Sequence, residues 1–132
     1  PQAQKQGIEV RVNPPPERLP MMNVDRLRLE QVLLNLLVNA MEAMPDGGVI
    51  EILVSHDEEA VSKSIVIEVM DSGPGVPDDL QSRIFDPYFT TKSEGTGMGL
   101  ALCDKIVRQH NGSLDFHRTA HGSVFDITLP IQ

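Results

Sequence analysis

A single cysteine leaves the chain without any internal disulfide. At 132 residues it needs none, since a domain of that length buries enough apolar surface to fold without a covalent or metal staple. Long hydrophobic runs are missing too. No segment approaches the roughly 18 apolar residues that span a bilayer, and the opening PQAQKQGIEV lacks the apolar stretch of a signal peptide. Basic residues are scarce: 11 Lys and Arg stand against 19 Asp and Glu, for a net charge of −8. That balance excludes the basic stripe with which a nucleic-acid-binding surface displaces counterions. An anionic ligand would have to be held by local backbone geometry. These absences predict a soluble, cytoplasmic segment with no nucleic-acid or membrane contact of its own. The chain opens on Pro1 and enters a strand-like pattern almost at once, so it is expected to be a fragment of a larger protein, whose other parts can carry a membrane anchor.

What is present suits one folded domain over residues 1–132. The hydrophobic share of 40% is ordinary for a globular protein, whereas disorder would need fewer apolar residues. Ile8 to Val12 alternates as a strand does, and Pro14-Pro15-Pro16 then forbids regular structure. From Asp25 to Met44, Leu29, Leu33, Leu36, Leu37, Ala40 and Met44 recur at helical spacing. Asp25 can cap the start, and Pro45 with Gly47-Gly48 stops it. Val49 to Ser55 and Ser64 to Met70 are β-branched runs joined by the polar link HDEEAVSK, which predicts a hairpin. A short helix is expected from about Asp78 to Ile84, then a long mobile loop from Phe85 to Gly97. Met98 to Gln109 returns to helical spacing and Asn111-Gly112 supplies a left-handed stop. Ser113 to His117 and Ser123 to Leu129 finish the chain as strands around a turn at Thr119 to Gly122. Helices interleaved with hairpin-linked strands predict an α/β sandwich with a mixed sheet. Cys103, within GLALCDKIV, reads as part of a helix packing face, buried and inert.

Three motifs carry chemistry. Asn35 and Asn39 lie one helical turn apart inside LLNLLVNAM and interrupt an otherwise apolar run. Asparagine is costly to bury without partners, so the pair is either a satisfied core network or a site. Asp71-Ser72-Gly73-Pro74-Gly75 leaves the end of a strand, and its acceptor-only carboxylate can grip an amine donor, although an ordinary turn has the same composition. Gly95-Thr96-Gly97-Met98-Gly99-Leu100 runs into the start of the last helix, where unpaired amides and the helix dipole favour phosphate. A dinucleotide fingerprint would need a strand just before the glycines, and a polar loop precedes them here; a flexible hinge is the other reading.

In their order, with FDPYFTTK between the second and third, the motifs give the chain a clear resemblance to the histidine kinase ATP-binding domains of the gyrase, Hsp90, kinase and MutL superfamily. Four boxes read as LLNLLVNAMEAM, DSGPG, RIFDPYFTTK and GTGMGLAL, over Asp25 to Leu129, with details that look closest to the nitrogen-regulation and oxygen-sensing type. The resemblance implies an α+β sandwich whose mainly antiparallel sheet is covered on one face by three helices, with a long ATP lid. It implies that Asp71, in a box with Gly73 and Gly75, accepts a hydrogen bond from the exocyclic amine of adenine. Asn39 would coordinate Mg²⁺, with Asn35 nearby, and Thr128 would support adenine through water. Phe85 to Gly97 becomes the lid, with Phe85 and Phe89 as apolar anchors. Lys92 would reach phosphate and act with Asn39 in catalysis, while Gly95, Thr96, Gly97, Met98, Gly99 and Leu100 offer backbone amides.

ATPases of this superfamily carry a glutamate general base one turn before the metal-binding asparagine, where Asn35 stands here. An amide cannot take a proton from water, which predicts slow hydrolysis and a γ-phosphate kept for an acceptor. Glu42 sits where many such kinases place a basic residue, leaving Arg83 or Lys92 for that role. The implied function is phosphoryl transfer from Mg-ATP to a histidine on a separate dimerisation domain of the parent kinase, with a response regulator downstream and the isolated fragment a monomer. The alternatives are an ATPase clamp of the gyrase, Hsp90 or MutL kind, a serine-directed kinase of the anti-sigma kind, and a pure interaction module. His56-Asp57-Glu58 imitates the phosphoacceptor dipeptide but reads as a solvated link. His110 closes a helix, where a cation suits the dipole. His117 and His121 straddle a turn, with too few further ligands for zinc.

Overall fold

The computed structural model describes residues 7–13, 24–57, 64–74, 84, 99–120 and 122–131. Its elements run β1 (Ile8–Asn13), α1 (Arg26–Ala43), β2 (Gly48–Asp57), β3 (Ser64–Asp71), α2 (Gly99–Gln109), β4 (Ser113–Thr119) and β5 (Gly122–Pro130). The five strands form one sheet in the order β1-β2-β3-β5-β4. Among the described residues only β1 and β2 pair in parallel; the other three ladders are antiparallel. Parallel neighbours require a crossover, and α1 lies between these two in the chain. The mixed, mainly antiparallel sheet expected from the sequence is the sheet observed.

α1 begins where Asp25 accepts the Arg28 N–H at 3.2 Å. It ends where the Met44 N–H turns back to the Met41 carbonyl and the Gly47 N–H to the Met44 carbonyl. Gly47 takes φ +100°, which a side chain disfavours, so the helix stops there. Val32, Leu36, Ala40 and Met44 are buried along its inner face, flanked by the partly buried Leu29, Leu33, Leu37 and Met41. Val32, fully buried, is the inner-face residue that helical periodicity overlooked. Ile50, Val69, Phe125, Ile127 and Leu129 of the sheet meet Cys103, Ile106 and Val107 of α2 in the same core. Side chains alternate along a strand, so Glu51, Met70 and Val124, which pair across neighbouring ladders, lie on the opposite face. Asn111 adopts φ +60° after α2, the left-handed stop read from the sequence.

Two helices cover the sheet among the described residues. Of the third, expected from Asp78 to Ile84, only Ile84 is described, buried at 3% exposure in the same core. The polar link after β2 begins later than composition suggested. His56 and Asp57 continue the ladder opposite Ile65 and Ser64, and His56 is half-buried. Cross-strand pairing overrides weak local propensity there: both residues belong to the strand, and the solvated-link reading is corrected for His56. The loop from Phe85 to Gly97 lies outside the described residues.

Candidate nucleotide site

Asp71 closes β3 on the helix-covered face, 9% exposed. Its Oδ1 accepts the Gly73 N–H at 2.9 Å, and the Ser123 hydroxyl donates to the carboxylate at 3.1 and 3.2 Å. Burial pushes its pKa up, against the lowering effect of the Gly73 amide and the Ser123 hydroxyl. Those donors orient the carboxylate.

The turn after Asp71 packs onto the end of α1. A Cβ on Gly73 would stand 3.1 Å from the Ala43 carbonyl oxygen and 3.2 Å from Met44 Cγ, so glycine permits the approach. Ser72 fastens the same junction. Its hydroxyl oxygen accepts the Val49 N–H at 2.9 Å, and the hydroxyl lies 3.4 Å from Met44 Sδ. The Asp71 turn is thereby held one helical turn from the half-buried Asn39.

α2 runs antiparallel to α1. Cys103 Sγ lies 3.7 Å from the Val32 carbonyl, and seven residues further along α2, His110 meets Asp25, seven residues back along α1. Extending that match places Gly99, the first residue of α2, level with Leu36. Gly99 and Leu100, the described part of the glycine motif, therefore stand at the end of the helix pair nearer Asn39. Asn35 hydrogen-bonds the Cys103 thiol, which burial chiefly pushes up to about 11. The thiol is fully buried and stays protonated at neutral pH, the inert state expected of it.

The fold thus brings Asn39, Asp71, Gly73, Gly99 and Leu100 toward one end of the helix pair, with Asn35 turned to α2. It does not bring Thr128 there. Thr128 pairs with Val66, whereas Ser123 pairs with Asp71. Five residues of strand, about 16 Å, separate them, and the odd offset puts Thr128 on the other face. Ser123 was overlooked in the sequence because register, not composition, selects it. Gly75, Phe85, Phe89, Lys92, Gly95, Thr96, Gly97, Met98, Arg83 and His121 lie outside the described residues. His117 pairs with Asp126 at 3.3 Å across β4 and β5. A pocket of about 340 Å³ backs onto Asp71 and Ser123, but Glu51, Met70 and Val124 open it on the uncovered face, away from Asn39.

Mg²⁺ takes oxygen ligands and commonly arrives with phosphate oxygens and waters, needing few from the protein. The amide oxygen of the half-buried Asn39, one helical turn from where the Asp71 turn packs on α1, fits that chemistry.

Comparison with known proteins agrees with this fold. Residues 24–132 match the family described as histidine kinase-, DNA gyrase B-, and HSP90-like ATPase. The chain is 44% identical over 115 residues to the C4-dicarboxylate transport sensor protein DctS of Rhodobacter capsulatus, covering 86% of this chain but 18% of that protein. It therefore spans about a fifth of that relative's length. The catalytic domain of histidine kinase ThkA, in a nucleotide-free form, superposes with a TM-score of 0.84 at 33% identity, over 98% of this chain and 84% of that one. Full-length ShkA in complex with AMPPNP gives a TM-score of 0.78 at 26% identity, over 98% of this chain and 27% of that one. The family match over residues 24–132 and the shared fold lead to one conclusion: the chain belongs to the histidine kinase-, DNA gyrase B- and HSP90-like ATPase family and has the fold of a histidine kinase catalytic domain.

Proposed function

We propose that the domain binds Mg-ATP and donates its γ-phosphate to a histidine on a separate dimerisation and phosphoacceptor domain of the same parent kinase, within two-component signalling. The observation that carries this reading is the packing of Gly73 against the Ala43 carbonyl, which brings the Asp71 carboxylate beside the Asn39 turn of α1. Asp71 accepts from the adenine amine, Asn39 offers its amide oxygen to Mg²⁺, and the amides from Gly95 to Leu100 with Lys92 receive the phosphates. Phe85 to Gly97 closes as the lid. Bound Mg²⁺ neutralises phosphate charge; the chain's own residues bind, orient and exclude water. The resemblance to AMPPNP-bound ShkA supports the choice of nucleotide.

Asn35 favours transfer over hydrolysis, because an amide hydrogen-bonded to the Cys103 thiol is no general base. The ATPase clamp and the serine-directed kinase are the less favoured readings. Asn39→Ala is expected to weaken ATP binding about tenfold in the presence of Mg²⁺ and to leave the Mg²⁺-free affinity nearly unchanged. Calorimetric titration with and without the metal measures this, and equal affinities of variant and wild type in Mg²⁺ would remove Asn39 from the site. Mixing the domain with its histidine-bearing partner domain and ATP should yield acid-labile phosphate on the partner, while the domain alone turns ATP over slowly. Multiple fast turnovers would favour the clamp.

The motif details support the nitrogen-regulation or oxygen-sensing type. Among the described residues no helix is long and apolar enough to cross a membrane, and we place the domain in the cytoplasm, where a response regulator could receive the phosphate. Dimerisation belongs to the phosphoacceptor domain, so the isolated fragment should sediment as a monomer. A dimer that persists on dilution in the ultracentrifuge would contradict that.

A further inference from the structure

In a capping box a glutamate or glutamine three residues on satisfies the N-cap N–H, but α1 has Arg28 there. The acceptor comes instead from the other helix. The Asp25 N–H donates to His110 Nε2 at 2.9 Å. An Nε2 that accepts must carry a lone pair, so the ring proton lies on Nδ1, which stands 2.8 Å from the Ile106 carbonyl and donates to it. That carbonyl needs a donor, because the His110 backbone N–H turns to the Val107 carbonyl and closes the helix tightly. One neutral imidazole thus caps the end of α2 and the start of α1. The helix-end cation expected at His110 is corrected by this geometry.

The two helices are antiparallel, so the imidazole pins the end opposite the nucleotide site. Asn39 lies about 21 Å along α1 from the pin, and Gly99 about 16 Å along α2. Between them the helices touch through Cys103, Val32 and Asn35. A slide or splay of either helix at the pinned end would change the gap between Asn39 and the α2 N-terminus. Asp71 would be spared, because the Ser72 hydroxyl and the β2 and β5 ladders hold it.

We propose that His110 is a positioning residue: its bridge from the end of α2 to the start of α1 sets the spacing between Asn39 and the α2 N-terminus, and so the fit of the phosphate end of Mg-ATP. This rests on the Mg-ATP reading above. It separates the two ends of the ligand, since adenine recognition depends on Asp71 and phosphate and metal recognition on the helix pair. A merely structural histidine would weaken both ends alike.

The test compares the wild-type chain with His110→Ala and His110→Gln, titrated with Mg-ATP and with adenosine. Glutamine can return an acceptor to the Asp25 N–H; alanine cannot. The expected result is Mg-ATP binding about tenfold weaker in H110A, adenosine binding within about twofold of wild type, and H110Q recovering most of the loss. Nitrogen-15 shifts of the wild-type ring should report the Nδ1–H tautomer. Unchanged Mg-ATP affinity in H110A, equal losses for both ligands, or an Nε2–H ring would overturn the proposal. Wild-type protein that binds neither ligand would instead remove the nucleotide reading, and this inference with it. Wild-type binding with an indifferent variant removes the inference alone.

Discussion

Asp71→Asn is expected to weaken Mg-ATP binding by about 100-fold while leaving the domain folded. The size follows from which atoms are already spoken for. Oδ1 of Asp71 accepts from the Gly73 N–H and the Ser123 hydroxyl, and Oδ2 accepts from Ser123. An asparagine there would keep its single oxygen toward the Gly73 amide and present its NH₂ where the second oxygen stood. The adenine amine would then meet a donor in place of an acceptor, which costs more than a missing contact. Stability should move the other way. Burial raises the Asp71 pKa, so the folded state disfavours its charge. A raised carboxyl contributes stability that is present below its unfolded value, near 4, and lost as pH rises through the folded value. At pH 7 the wild type bears that penalty and the asparagine variant does not. Urea unfolding should find the variant at least as stable at pH 7, with its advantage shrinking as pH falls toward 4. An unaltered dissociation constant would refute the adenine contact, and a variant much less stable at pH 7 would refute the origin of the shift.

Much of this architecture is legible in the sequence because single-element signals are local. The Asp25 cap, the helical recurrence through Met44, the Pro45 to Gly48 stop and the left-handed Asn111 each depend on a few neighbouring residues, and each is where the sequence places it. The motif order likewise identifies the ends of elements that must converge. Pairing is a different matter. That β1 lies parallel to β2, and that β5 inserts between β3 and β4, depends on contacts across many residues which no local pattern encodes. The same limit explains the hydroxyl beside Asp71. Thr128 and Ser123 are both small hydroxyl residues on β5, and only the ladder register separates the one opposite Asp71 from the one opposite Val66. His110 is a third instance. A helix-terminal histidine suggests a charge for the dipole, but the acceptor it supplies to Asp25 exists only once the two helices are antiparallel. Val32 completes the pattern: helical spacing gives the inner face, while the depth of each residue depends on where α2 and the sheet lie.

Gly122→Ala should unfold the domain more readily than any loss of a single surface contact, and should take the site with it. Gly122 opens β5 opposite Thr119, immediately before Ser123, and is buried. A Cβ added there would collide with the carbonyl oxygen and carbon of Asp71 and stand 3.0 Å from the Ser72 Cα. These are backbone atoms of the neighbouring strand. They are fixed by the β3–β5 ladder on one side and by the Ser72 N–H donating to the Val49 carbonyl at 3.1 Å on the other, so no side chain can swing aside. Overpacking of this sort costs about 3 kcal/mol, a large share of the 5–15 kcal/mol that typically holds a domain together. The midpoint of thermal unfolding should fall by about 10 °C. Whatever relief the strands find must push the end of β3 away from β5, which separates Ser123 from the carboxylate it orients and lifts the Asp71 turn off the Ala43 carbonyl. Nucleotide affinity should therefore fall even at temperatures where the variant remains folded. Calorimetry of the unfolding transition and a titration well below it measure the two effects separately. A variant that melts with the wild type would mean that the two strands stand further apart than this close approach requires. A variant that melts early yet binds Mg-ATP normally would detach the Asp71 turn from recognition of the base.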